Sequence, residues 1–91
     1  MNKLTGKTRS GFEFEVDAKA LDDMEMIDAL AEIMDENPLA FSKVCLKLLG
    51  PVQRKALYEH LRGEDGKVPV EAISVEIGDI FRALGEAGKN S

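Results

Sequence analysis

A strict alternation of apolar and acidic residues marks the segment FEFEV, residues 12–16. Successive side chains of a strand point to opposite faces, so the alternation predicts a strand with one buried face and one exposed face. The turn-forming run RSG precedes it, and residues 3–8 are predicted to supply the partner strand of a hairpin. Gly6 weakens that first strand because it offers no side chain to pack. A lone hairpin is marginal in water, so we expect it to pack on the rest of the chain.

Four helices are predicted after the hairpin, because apolar residues recur at spacings of three and four. Asp17 can cap a helical segment directly after the strand, and the first helix is predicted from Leu21. Asn37-Pro38 separates the first helix from the second, and Gly50-Pro51 separates the second from the third. Gly50 is predicted to be the left-handed C-cap at that break. A polar loop over residues 63–69 precedes the fourth helix.

The predicted fold class is mainly α, with an N-terminal β-hairpin followed by a compact bundle of about four short amphipathic helices. The hairpin covers residues 1–17, the bundle residues 18–84, and a flexible tail residues 85–91. A chain of 91 residues suits a single domain. Its hydrophobic fraction of 44% and charged fraction of 32% are typical of a folding protein rather than a disordered one.

Composition argues against several classes of partner. With 17 acidic and 12 basic residues the net charge is -5, which opposes binding to nucleic acid or to an anionic membrane. The single cysteine forms no internal disulfide, which favours an intracellular location. The N-terminus lacks the apolar stretch of a secretory signal, and no apolar run approaches the roughly 20 residues that span a bilayer. We therefore expect a cytosolic protein.

Candidate catalytic and metal-binding groups are few. Cys45 and His60 would be a nucleophilic pair only if they met, but Cys45 lies on an apolar helical stretch and His60 near a helix end. One cysteine and one histidine cannot assemble a structural zinc site. The segment EDGKV fails as a calcium loop, because aligning Gly66 with the loop glycine puts Leu61, Gly63 and Ala72 at ligand positions. We therefore expect that the chain is not an enzyme and that it binds neither a metal nor a cofactor.

A DNA-binding role is the alternative that the basic residues raise. The third predicted helix carries four of them: Arg54, Lys55, His60 and Arg62. Gly50-Pro51 resembles the turn of a helix-turn-helix protein. A solvated outer face on an acidic chain is the simpler interpretation. A small acidic helical regulator or a helix-turn-helix-like protein stays the alternative function.

Apolar side chains that a small core has difficulty covering are the remaining positive signal. Four of them spread too widely around the first helix for one narrow buried stripe: Met24, Met26, Ile33 and Met34. Methionine-rich surfaces adapt to partner helices, although methionine also fills gaps in cores. On the last helix an apolar edge at helical spacing supplies the predicted partner-binding residues: Ile80, Phe81 and Leu84.

Six segments taken in order carry a resemblance: SGFEFEVD, LDDMEMIDALAEI, NPLAF, LLGPVQRKALYEHLR, EDGKVPVEAIS and EIGDIFRALGEAGKNS. The chain resembles the tail assembly chaperones of long-tailed, siphovirus-type bacteriophages and prophages. The resemblance covers most of the chain and implies a non-enzymatic role in the cytoplasm of a bacterial host. Such chaperones bind the helix-rich tape-measure protein and help recruit tail-tube subunits. The resemblance implies no cofactor, nucleic acid or membrane, and it is compatible with self-association.

The tripeptide Gly88-Lys89-Asn90 fits a further property of that family. Its members are often made in two lengths, the longer by a minus-one ribosomal frameshift near the end of the short reading frame. The tripeptide can be encoded GGA AAA AAC, which contains the slippery heptamer A AAA AAC. The resemblance therefore predicts that this chain is the short form of a frameshifted pair. A frayed polar terminus explains the same residues without a frameshift.

Overall fold

The computed structural model describes residues 3–35 and 37–89, with side chains up to residue 85. The fold is mainly helical behind a short two-stranded hairpin. The elements in chain order are β1 (Lys3–Lys7), β2 (Glu13–Asp17), a 3-10 turn (Ala18–Leu21), α1 (Met24–Met34), α2 (Leu39–Leu61) and α3 (Val70–Lys89). The hairpin packs on α3 through β1 and on α2 through β2, while α1 and α3 both pack on α2. One core therefore joins every element.

The antiparallel hairpin confirms the strand with one buried face that the alternation over residues 12–16 predicts. Phe12, Phe14 and Val16 are buried, whereas the side chains between them are exposed. Gly6 lies opposite Phe14 in the register. A Cβ atom at Gly6 would lie 2.7 Å from Cζ of Phe14, so the glycine makes room for a buried ring. The residue that weakens the strand by itself thus allows the strand pair to bury an aromatic side chain.

Two successive aspartate caps delay the start of α1. The Asp17 side chain accepts a hydrogen bond from the Lys19 amide at 2.9 Å, as its capping role predicts, but it caps the 3-10 turn. Asp23 accepts from the Glu25 amide at 2.9 Å and caps α1. The prediction of a helix from Leu21 is wrong, since α1 begins at Met24. Every helix start leaves backbone amides without an acceptor inside the helix. The Asp23 side chain accepts from one such amide at the start of α1.

The described residues form three α-helices, so the prediction of about four is slightly too high. The two middle predicted helices are the halves of α2, which runs through Gly50-Pro51. Only Gly50 leaves helical geometry there, at φ 79° and ψ 169°, a region that almost only glycine occupies. This conformation is not the left-handed one of the predicted C-cap. Because a single residue absorbs the bend and Pro51 needs no amide partner, the helix resumes without a loop.

Gln53 ties the bend in α2 to the outer edge of β2. Its side-chain amide donates to the Glu15 carbonyl at 2.6 Å and accepts from the Glu15 amide at 2.8 Å. The same amide nitrogen donates to the Leu49 carbonyl at 2.9 Å. The primary amide of Gln53 thus takes the place of a neighbouring strand at one residue of β2. It protects part of a sheet edge that would otherwise expose unpaired backbone groups.

The remaining boundaries divide into confirmed and corrected ones. Asn37 accepts from the Leu39 amide at 3.1 Å, which confirms its capping role at the start of α2. The loop over residues 63–69 is also confirmed. The predicted helix end at Leu84 is wrong, because α3 continues to Lys89. The rest of the predicted flexible tail, Asn90 and Ser91, lies outside the described residues.

Candidate functional site

A buried carboxylate on α3 holds the turn of the hairpin. Glu76 is only 3% exposed, and its Oε1 accepts hydrogen bonds from the hydroxyls of Thr8, at 2.9 Å, and Ser10. The Thr8 hydroxyl in turn accepts from the Phe12 amide at 3.1 Å. Burying a carboxylate is costly unless hydrogen bonds replace its water. The two hydroxyls supply that replacement and fix the turn on α3.

His60 brings an imidazole to the same place. Its Nε2 lies 3.1 Å from the Ser10 hydroxyl and 3.1 Å from the Ser10 carbonyl oxygen. The ring lies beside Phe12, with 5.7 Å between ring centroids. The hairpin turn therefore touches α2 as well as α3. A serine, a histidine and a glutamate meet here, the residue types of a hydrolytic triad.

The connectivity of these three groups differs from that of a hydrolytic triad. In a triad the carboxylate binds the histidine, and the histidine accepts the serine proton. Here Ser10 donates to Glu76 directly, and His60 Nε2 faces both oxygens of Ser10. No carboxylate orients His60 among the hydrogen bonds of the described residues. The arrangement positions the turn, and we name the set Thr8, Arg9, Ser10, His60, Glu76 and Asp79 the hairpin latch.

Asp79 completes the hairpin latch one turn further along α3. Its carboxylate, 8% exposed, accepts from Arg82 Nε at 2.8 Å and from the Arg9 backbone amide. Nε of the Arg9 side chain lies 3.5 Å from Oδ1 of Asp79. The hydrogen bond from Arg82, followed by that from the Arg9 amide, holds the pKa of Asp79 below its usual range. Asp79 therefore stays ionised and binds the turn from a second side.

Cys45 and His60 lie in different environments. Cys45 is buried in the core, whereas His60 is exposed at the hairpin turn. Burial raises the pKa of the Cys45 thiol to about 11. A thiol rather than a thiolate is therefore present at neutral pH, and the nucleophilic form is the thiolate. The pair is not assembled.

Arg54 on the second half of α2 and Arg62 directly after its end make contacts within the chain. Arg54 donates to the Ser42 hydroxyl at 3.0 Å and lies 5.9 Å from the centre of the Tyr58 ring. Arg62 pairs with Glu59 at 2.6 Å and donates to the Gly66 carbonyl at 2.7 Å. The hydrogen bond from Arg62 lowers the pKa of Glu59. These arginines hold the bend of α2 and the following loop in place.

The predicted partner-binding residues belong largely to the core. Ile80 is 0% exposed and Leu84 is 4% exposed, while Phe81 is half-buried against the same cluster. A direct contact of Ile80 or Leu84 with a partner would require α3 to leave the bundle. Helical spacing identified an apolar face correctly, but the bundle covers that face. Their role in partner binding stays a prediction.

An apolar groove opens instead between α2 and the start of α3. Its volume is about 350 Å³, and its lining residues are Pro38, Phe41, Ser42, Tyr58, Arg62, Val68, Val70 and Ile73. We name it the α2–α3 groove. Leu39 at the start of α2 is 82% exposed, and Val70 is 57% exposed. Sequence reasoning missed this groove because it forms between residues far apart in the chain. A larger hollow of about 560 Å³ lies on the hairpin, but exposed charged strand residues line much of it.

Two negative findings apply to the described residues, 3–35 and 37–89. Within them, no three His, Cys, Asp or Glu side chains converge as a metal-binding group. None of the described helices has both the length and the apolar character that crossing a membrane requires. Comparisons with protein-family models, with curated proteins and with solved structures found no match.

Proposed function

We propose that this chain is a tail assembly chaperone of a long-tailed bacteriophage or prophage. It binds the tape-measure protein before tail-tube assembly and helps recruit tube subunits. The chaperone acts without catalysis or a cofactor, in the cytoplasm of the bacterial host. The resemblance of six ordered segments supports this family, and the exposed apolar surface of the fold supports a protein-binding role.

The observation that carries the proposal is the set of large apolar side chains left on the surface of a small acidic domain. They are Met24, Ile27, Met34, Leu39, Leu46, Val52, Val70 and Val75. Single exposed apolar residues are ordinary, but a concentration of them marks a binding surface. Five of the eight form the proposed binding surface. Three lie on α1, Val70 lines the α2–α3 groove, and Leu39 follows the lining residue Pro38 in the chain. The other three, Leu46, Val52 and Val75, lie outside α1 and outside the groove lining.

Such a surface suits a partner with long apolar helices. A helix can place apolar side chains in the α2–α3 groove and against α1, which removes them from water. Without that cover, the helices of a tape-measure protein would associate with one another. The net charge of -5 favours solubility of the resulting complex. Binding by the chaperone thus covers the apolar faces of the tape-measure helices and leaves an acidic surface on the complex.

Co-expression with a candidate tape-measure protein from a neighbouring gene tests the proposal. We expect the partner to stay soluble and to co-elute with the full chain in size-exclusion chromatography. A Leu39→Gln, Val70→Gln double variant should reduce co-elution at unchanged melting temperature, because both side chains are exposed. The control carries Val52→Gln, since Val52 is 81% exposed and neither lines the groove nor adjoins a lining residue in the chain.

Two results would overturn the chaperone function. One is a tape-measure protein that aggregates equally with and without the chain. The other is retardation of duplex DNA at low salt with a steep loss of binding as salt rises, which is the behaviour of a DNA-binding protein.

The frameshift belongs to the same proposal and is tested on the gene. We expect Lys89 and Asn90 to be encoded AAA AAC, with an open minus-one frame downstream. A lysine codon AAG, or a closed minus-one frame, would rule out the frameshifted long form. The binding proposal does not depend on that result.

A further inference from the structure

Helix α1 has three faces rather than two. At about 100° per residue, its buried face consists of Met26 and Ala29 with the half-buried Leu30 and Ile33. A second apolar row faces away from the bundle: Met24, Ile27, Ala31 and Met34. Met24 is 70% exposed, Ile27 48% and Met34 84%. We name this row the α1 stripe.

Carboxylates form the third face, directly beside the α1 stripe. They are Glu25, Asp28 and Glu32 within α1 and Asp35 at its C-cap, at spacings of three and four, and all four are exposed. We name them the α1 acidic row. The helix itself contains no lysine or arginine. Within the described part of the chain, none of the four carboxylates forms an ion pair. Apolar area and uncompensated negative charge therefore lie side by side along one helix.

We propose that the α1 stripe and the α1 acidic row together bind a basic amphipathic helix of a protein partner. The apolar face of that helix covers the stripe, and its flanking lysines or arginines meet the acidic row. This inference rests on the proposed function, since it specifies the kind of tape-measure segment that the chaperone covers. It goes further by assigning the surface and the charge of the ligand.

Charge favours a basic helix over two other partners that an apolar stripe can bind, a second copy of the chain and an anionic membrane. A second copy of the chain would bring another acidic row against the first, because α1 carries no basic residue to pair with it. An anionic membrane would be repelled by the same row. A basic helix gains from both halves of the surface. The flexible methionines Met24 and Met34 let the stripe adapt to side chains of different shape.

The division of labour between the two rows follows from their chemistry. Covering Met24, Ile27 and Met34 removes apolar area from water and supplies most of the affinity. The carboxylates stay at the rim, where charge pairs mainly raise the association rate and fix orientation. Binding should therefore weaken with salt but persist in part, because screening removes only the charge contribution.

Two designed peptides of about 18 residues test the charge preference, a length at which a helix forms appreciably. Both carry the same leucine face, and their flanking residues are lysine in one and glutamate in the other. Binding to the full chain is measured by fluorescence anisotropy. We expect the lysine peptide to bind at least about tenfold more tightly than the glutamate peptide, from several charge pairs of up to about fivefold each. Equal binding of the two peptides would overturn the proposal.

Matched variants then locate the surface. We expect Met24→Gln, Met34→Gln to weaken the lysine peptide about tenfold. Asp28→Lys, Glu32→Lys should weaken it about tenfold as well. The apolar control is Val52→Gln, Val75→Gln, since those side chains are 81% and 64% exposed on α2 and α3. The charge control is Glu13→Lys, Glu64→Lys, which changes net charge equally at exposed positions outside α1. Thermal melting followed by circular dichroism checks that each variant folds.

The controls decide whether the surface is α1. If the controls weaken binding as much as the α1 variants, the peptide responds to overall charge and apolarity, and the proposal is wrong. The outcome is separable from the proposed function. A tape-measure protein that co-elutes equally with the parent and the α1 variants keeps the chaperone role and removes α1 as its docking surface.

Discussion

The hairpin and α1 differ in how completely their side chains find partners inside the chain. On the hairpin the apolar face is buried, and the polar turn is held by Glu76 and Asp79. On α1 only Met26 and Ala29 are fully buried, and the outward methionines lie beside uncompensated carboxylates. Both elements pack on α2, so the difference does not follow from distance to the core.

This difference separates residues that maintain the fold from residues available to a partner. The hairpin latch satisfies its buried polar groups internally, as a structural contact requires. The α1 stripe contributes little to the core and presents exposed apolar side chains to the proposed partner helix. A mutation should therefore change stability at the hairpin latch and binding of the proposed partner at α1.

The largest expected effect is that of Ile80→Lys. Ile80 is 0% exposed, so the variant places an unpaired charge among apolar side chains. We expect a loss of about 4 kcal/mol or more in the free energy of unfolding, which is most of the stability of a typical small domain. Urea denaturation followed by circular dichroism measures it. A folded variant of parental stability would show that α3 does not pack Ile80 in the core.

The latch should yield the next effect, through Glu76→Ala. This change removes the acceptor shared by the Thr8 and Ser10 hydroxyls and leaves the turn without its anchor. We expect a loss of about 2 kcal/mol. Glu71→Ala on the exposed first turn of α3 is the control and should change stability little. Equal melting temperatures for the two variants would mean that the hairpin latch does not stabilise the fold.

A pair of glycines offers changes of opposite sign. Gly6→Ala places a Cβ atom 2.7 Å from Cζ of the buried Phe14, and we expect it to destabilise the protein by about 1–2 kcal/mol. Gly78→Ala meets no atom within 4 Å on an exposed turn of α3, and we expect it to stabilise by about 1 kcal/mol. The two denaturation midpoints should move in opposite directions. A shift of Gly6→Ala toward higher stability would contradict the close approach of Phe14.

The elements that sequence predicts best are those fixed by neighbouring residues. Alternation over residues 12–16, the Asn37 cap and the polar loop over residues 63–69 each depend on short segments. The helix count failed because Gly50 and Pro51 suggest a termination, while the whole bend is absorbed at Gly50. Local propensity does not decide whether a chain leaves a helix or continues after a bend.

The proposed partner surface was harder to predict for a different reason. Residues that pack in a core and residues that bind a partner have the same helical spacing, so Ile80 and Leu84 looked like a contact edge. The spread of methionines around α1 did indicate more apolar side chains than one buried face needs. Which of them face outward depends on how α1 lies on α2, a tertiary property. The hairpin latch likewise joins residues from three separate elements.

The ionised state of Asp79 predicts a loss of stability in acid. Its pKa is lowered in the fold, chiefly by Arg82, so the ionised form favours the folded state. The contribution is fully present above the unfolded pKa, about 3.9, and is lost as pH falls through the lowered folded pKa. Melting temperatures of the parent and of Asp79→Asn should therefore differ most above about pH 4 and converge below it. A constant difference across that range would assign the effect of the substitution to packing rather than charge.

The smallest expected change in stability is that of Met34→Lys, the same new side chain as in Ile80→Lys. Met34 is 84% exposed at the end of α1, where no basic residue precedes it in the last turn. A cation there interacts favourably with the helix dipole and with the acidic row, so we expect a change within about 0.5 kcal/mol. Urea denaturation of both lysine variants under one condition measures the contrast between a buried position on α3 and an exposed position on α1. A loss of about 2 kcal/mol or more for Met34→Lys would make Met34 a core contact, because exposed substitutions rarely cost that much. The α1 stripe would then stabilise the fold. The contrast between a hairpin whose buried groups find partners within the chain and an α1 with exposed apolar side chains would no longer hold.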